Sequence, residues 1–135
     1  MIKLGKRQPM NLDRKKIRPI IKGLEVLENM SAEEQFQNTT LRQIIKMQHD
    51  LLVIYFKNYL IAKKCNFSLL SEPKKMEFIT TAFNKDNSFK TELKGIIMGQ
   101  FTVDEFKIYV TSKNDYNKRI LAIIKQRFES VIELF

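Results

Sequence analysis

The sequence predicts an all-α fold: a single-domain bundle of six or seven helices, two of them long, at about residues 40–64 and 113–134. Three observations carry that expectation. Apolar residues recur at three- and four-residue spacing along almost all of the chain beyond Ile17. The segments are separated by helix-cap signatures, with only four glycines and three prolines in 135 residues, so little irregular loop is needed. Strand-like runs occur at Leu51-Leu52-Val53-Ile54 and Val110-Thr111, and both sit inside longer helical patterns. A chain of this length builds one core and buries roughly two-thirds of its unfolded surface.

Taken in order, residues 1–12 read as a basic flexible arm, because they hold Gly5 and Pro9 and few apolar side chains. Residues 13–135 form the helical domain. Ile17, Ile20, Ile21, Leu24 and Leu27 share one helical face. Pro19 disfavours helical geometry at Arg18, so this helix is expected to start near Pro19 and end near Met30. Ser31-Ala32-Glu33-Glu34 has the form of a capping box and opens a short turn through Phe36. Asn38, Thr39 and Thr40 restart the chain into a long helix to Lys64, apolar almost all round at Leu51–Phe56 and therefore central. Asn66 is its expected left-handed stop. Ser71 with Pro73 opens a helix to about Phe83, and Ser88 opens another that ends at Gly99. Thr102-Val103-Asp104-Glu105 is a second capping box, ahead of a short helix to Tyr109. Ser112 or Asn114 then caps the last helix, whose inner face is Tyr116, Ile120, Ile124, Phe128, Val131 and Phe135.

Charge is unevenly placed. The first 22 residues carry eight basic side chains and one acid, Asp13, which is +7 of the chain's net +9. A one-signed local field attracts polyanions. Lys6, Arg7, Arg14, Lys15, Lys16, Arg18 and Lys22 are therefore the candidate polyanion contacts, with nucleic acid or an acidic protein as the partner. The longest apolar run, Leu51–Phe56, is far short of the ~20 residues of a membrane span. The first residues have no apolar signal region, and the single cysteine, Cys65, forms no internal disulfide, so a cytoplasmic chain is expected.

Residues that carry chemistry are sparse. His49 is the only histidine, too few for a histidine-based metal site, so neither a metal nor another cofactor is expected. The carboxylate pairs Glu25/Glu28, Glu33/Glu34 and Asp104/Glu105 suit helix first turns and solvated faces better than a cleft. Gln48 and His49 interrupt the apolar face of the central helix. Polar side chains there need partners. They line a small polar pocket with Asn38 and Tyr55, or bond to nearby backbone.

Leu27-Glu28-Asn29-Met30-Ser31-Ala32-Glu33-Glu34-Gln35-Phe36-Gln37-Asn38-Thr39-Thr40-Leu41, continued by Gln48-His49-Asp50-Leu51-Leu52, resembles a group of short helical bacterial proteins. The resemblance runs from about residue 20 to the end and implies an all-helical fold. Some similar chains carry a glyoxalase label. Glyoxalase I is built from paired βαβββ modules with histidine and glutamate metal ligands. This sequence offers neither the strands nor the histidines, so no catalytic residue carries over.

The sequence thus favours a non-enzymatic interaction or regulatory protein that meets a polyanion or acidic partner through its basic N-terminal segment. Two alternatives stand beside it. One is a small-ligand binder or enzyme with an inter-helix pocket near His49. The other is a helical homodimer sealed through Phe128, Ile132 and Phe135.

Overall fold

The computed structural model describes residues 11–21 and 29–135, with no strand among them. Eight α segments occur: α1 (Asn11–Lys16), α2 (Ala32–Phe36), α3 (Arg42–Met47), α4 (His49–Ala62), α5 (Glu72–Lys85), α6 (Asn87–Met98), α7 (Val103–Tyr109) and α8 (Lys113–Ser130). A π-helical turn, Gln37–Leu41, joins α2 to α3, and a 3-10 turn, Val110–Ser112, joins α7 to α8. Read through those junctions, the described residues form six helical rods, within the expected number.

Several boundaries differ from the sequence expectation. The N-terminal helix lies at Asn11–Lys16, so Asn11 and Leu12 belong to α1 rather than to an arm, and residues 19–21 are not helical. Pro19 ends the helical segment instead of starting one, by disfavouring helical geometry at Arg18. The rest of the expected 19–30 helix and residues 1–10 fall outside the described residues, apart from Asn29 and Met30, which are not helical. Ser31 caps α2 by accepting from the Glu34 amide at 3.1 Å, the serine half of the expected box. The chain then does not restart at residues 38–40. Thr39 Oγ1 donates to the Gln35 carbonyl at 2.7 Å, and the ladder widens so that the Arg42 amide reaches the Gln37 carbonyl. A threonine that bonds back to the preceding turn competes with the regular helical ladder. An extra residue is thereby accommodated without ending the rod.

The expected 40–64 helix bends at Gln48 (φ −88°, ψ 12°), although bonds from Gln48 N to Ile44 O and from Leu52 N to Gln48 O carry the ladder through at 2.9 Å. Gln48 and His49 fall in phase with the buried Ile45 and Leu52. Polar side chains at that phase cannot pack as a core turn, and the axis turns there. The stop is Lys64, not Asn66. Lys64 has φ 54°, the Lys64 amide bonds Ile61 O and the Cys65 amide bonds Leu60 O, each at 3.0 Å. That pair of bonds is a Schellman motif. The half-buried Cys65 packs against the core just beyond it.

Pro73 sits in the first turn of α5 as expected, and α5 runs to Lys85, two residues further than expected. Asp86 alone links α5 to α6, its Oδ1 accepting from the Phe89 amide at 3.1 Å. Gly99 closes α6 in right-handed geometry, φ −62°, and not as a left-handed stop. A Cβ there would lie 3.1 Å from the Gly95 carbonyl oxygen, a tight approach to the acceptor of the Gly99 amide. Thr102 and Glu105 form the complete capping box of α7. Ser112 does not cap α8 with its side chain but donates to Glu33 Oε1 at 3.2 Å. α8 ends at Ser130, four residues short of expectation, and Ile132–Leu134 turn as a 3-10 helix.

The core is one cluster. α8 packs on α3, α5 and α6 with Tyr116, Ile120, Ile124 and Phe128 inward. Phe56 is fully buried at the centre. Its ring lies 4.8 Å from Phe128 and 4.6 Å from Phe135, with Phe67 and Phe89 edge-on or tilted around it. Phe128 is fully buried, and Ile132 and Phe135 are half-buried against the same cluster. Of the side chains named for a homodimer seam, Phe128 is taken up by the protein's own core, while Ile132 and Phe135 pack against it with part of their surface exposed.

Candidate functional site

The basic segment splits into two kinds of cation. Arg18 is buried, with 3% of its side chain exposed, and its guanidinium forks onto Glu105 at 2.6 and 2.7 Å. Its NH2 also donates to the Gln100 carbonyl at 2.9 Å. Arg14 NH1 donates to the Phe101 carbonyl at 2.7 Å. Arg18 is thus corrected as a polyanion contact: it is the counter-ion of a buried carboxylate and holds the N-terminal segment on the start of α7. Arg14 braces the same junction. Burial works to raise the Glu105 carboxyl. The Arg18 hydrogen bonds, the Thr102 amide (2.8 Å from Oε1) and the Arg18 charge overcome it, and the net direction is down. Lys15 and Lys16 are exposed on α1 and enter no ion pair among the described residues. Lys6, Arg7 and Lys22 lie outside the described residues.

The pocket residues named from the sequence do not converge. Asn38 Nδ2 faces Met30 Sδ at 3.6 Å. Gln48 is half-buried at the bend. His49, also half-buried, presents Nδ1 to Arg127 NH1 at 3.3 Å. Arginine only donates, so Nδ1 can take part in this contact only as the acceptor. Tyr55 lies elsewhere along α4, its hydroxyl donating to Glu92 Oε2 at 2.7 Å.

Tyr55 belongs instead to a cleft between α4 and the α5–α6 junction. Tyr59 donates to Asp86 Oδ2 at 2.7 Å, and Lys63 lies 3.5 Å from the same oxygen. The main chamber, about 590 Å³, is lined by Tyr59, Lys63, Phe78, Lys85, Asp86 and Ser88, among others. A smaller one continues past Tyr55 and Glu92. Burial first, then the carboxylate acceptors, push both phenols well above their ordinary value, while the Tyr59 hydroxyl and the Phe89 amide hold Asp86 below its own. At neutral pH the phenols stay protonated and Asp86 stays ionised. The hydroxyls are donors held on carboxylates. Asp86 meanwhile caps α6 through its other oxygen.

A second polar groove runs between α3 and α8. Gln37, Arg42, Asp115, Lys118, Arg119, Ala122, Ile123 and Gln126 line it. Arg119 is held by Asp115 Oδ2 at 2.8 Å and by Gln37 Oε1 at 2.9 Å. The sequence reading passed over Arg42 and Arg127. Asp115 and Arg119 stand four residues apart on one helix, the spacing of a helical ion pair. No spacing rule joins Arg42 to Arg127, which stand on different helices.

Among the described residues no three His, Cys, Asp or Glu side chains are grouped to hold a metal ion, and no helix is long and apolar enough to cross a membrane. No protein family, curated protein or solved structure matches the chain.

Proposed function

We propose that the protein is a non-enzymatic interaction module that meets a polyanion, nucleic acid in the first instance, through the basic segment around Lys15 and Lys16. The observation that carries this reading is the division of labour among the N-terminal cations. Arg18 and Arg14 fix α1 against Glu105 and the Phe101 carbonyl. Lys15 and Lys16 remain exposed beside them, and Lys6, Arg7 and Lys22 add charge in the flanking sequence. Lysines presented this way supply phosphate contacts that give affinity without reading base sequence.

The test keeps the chain whole. Truncation before Gly23 would strip Arg18 from Glu105 and leave a buried charge unpaired, so a loss of binding would be ambiguous. Lys15→Ala with Lys16→Ala leaves that pair in place. Binding of a duplex oligonucleotide is measured by anisotropy across a salt series. Removing two phosphate contacts is expected to flatten the log–log salt slope by about 2. Equal affinity and slope in the two proteins, or no binding of the wild type at low salt, defeats the proposal.

A further inference from the structure

The main chamber of the cleft between α4 and the α5–α6 junction, about 590 Å³, falls within the roughly 300–1,000 Å³ of small-molecule sites. Part of its lining is apolar. The half-buried Tyr59 and Phe78 rings stand 6.3 Å apart at 63°, and Ala82 lines the chamber with them. Rings set at an angle offer a third ring the offset and edge-on contacts that aromatic groups prefer.

The charges of the lining are unbalanced. Lys63, Lys85 and Asp86 face the chamber, two ammoniums to one carboxylate. Asp86 is already met on both oxygens, by the Tyr59 hydroxyl and Lys63 on Oδ2 and by the Phe89 amide on Oδ1. Lys85 enters no ion pair among the described residues. Lys63 is held loosely: its ammonium lies 3.5 Å from Asp86 with 53% of the side chain exposed, and an exposed pair of that kind is worth little. Glu92, the other carboxylate of the cleft, lines the smaller chamber and is engaged there by Tyr55. The main chamber is thus the positive end of the cleft and holds the Tyr59 and Phe78 rings as well. A cleft of one sign draws a counter-ion, and an apolar wall in the same chamber selects what that ion is attached to.

We propose that the main chamber binds a small aromatic carboxylate, its ring against Tyr59 and Phe78 and its carboxylate on Lys85. The acid group needs only one ammonium, and Lys85 is the one without a partner. The site uses neither Lys15 nor Lys16. Its lining comes from α4, α5 and the start of α6, so an occupant ties these elements together.

The experiment titrates phenylacetate into the full chain at neutral pH and fixed ionic strength, read by amide NMR shifts and by thermal unfolding. Acetate and benzyl alcohol supply the two halves of the probe. Phenylacetate is expected to shift the amides of residues 81–88 and 59–63 saturably and to raise the melting temperature. Lys85 is exposed, so Lys85→Gln keeps the fold, and it should weaken binding about tenfold, the size of one charge-assisted hydrogen bond. Lys15→Ala with Lys16→Ala should bind as the wild type does. Shifts that do not saturate, or that centre outside those two segments, overturn the site whatever the variants do. Equal binding of acetate overturns it by showing a general anion patch, and equal binding of benzyl alcohol by showing an apolar cleft indifferent to charge. Undiminished binding by Lys85→Gln, or binding lost in the Lys15/Lys16 variant, also rejects it.

Discussion

Arg18 and Glu105 form the interaction on which the N-terminal segment depends. They are 87 residues apart, both side chains are almost wholly buried, and the fork is bidentate. Removing one member of a buried pair strands the other charge, at a cost of about 3–5 kcal/mol, whereas replacing both with apolar groups of similar volume is often neutral. Arg18→Ala is therefore expected to lower unfolding stability by that amount in urea titrations at pH 7. Arg18→Met with Glu105→Leu should recover most of it, and a single variant as stable as the wild type would contradict the assignment. The pH dependence follows in sign. The Glu105 carboxyl lies below its ordinary value in the folded chain. Its contribution is complete above the unfolded glutamate value, about 4.3, and is lost as pH falls through the folded one. The wild type should lose more stability than the Met/Leu variant between pH 5 and acid pH; parallel losses would show the pair plays no part.

At the scale of elements, junction chemistry decides how the rods end. The Ser31, Asp86 and Thr102 caps each act within three residues of sequence. The end of α4 is the exception. Asn66 has the composition of a left-handed stop but sits at φ −81°, while Lys64 takes φ 54° because the Schellman bonds close there. An L-residue with a Cβ is strained in that region by about 1–2 kcal/mol, which glycine avoids. Lys64→Gly is expected to stabilise the protein by about 0.5–1 kcal/mol, with Asn66→Gly giving no such gain. A lower denaturation midpoint for Lys64→Gly would mean that its aliphatic stem outweighs the strain.

At the scale of the whole molecule, the aromatic centre around Phe56 unites α4, α6, α8 and the C-terminal turn. Phe128 is fully buried within it. Phe128→Ala is expected to cost about 3–5 kcal/mol. Light scattering should return the same particle mass before and after the substitution, because the side chain is fully buried within the chain's own core. A change of mass in the folded variant would return Phe128 to the dimer reading. The exposed apolar residues of α4, Leu51, Ile54 and Ile61, lie on the side of the rod away from this centre. They explain why the helix reads as apolar all round without being buried all round.

The sequence by itself determined the helical class, the Ser31 and Thr102 caps and the buried stripe of α8, because these rest on interactions within one to four residues. Thr102 and Glu105 were readable as a box, and Tyr116, Ile120, Ile124 and Phe128 as a stripe. Tertiary structure alone decided which charges are free. Arg14, Lys15, Lys16 and Arg18 look alike along the chain, yet Arg18 neutralises a buried carboxylate while Lys15 and Lys16 face solvent. A charge's role depends on what lies within a few ångströms of it, and for these residues that neighbourhood is assembled from positions some 85 apart in the chain.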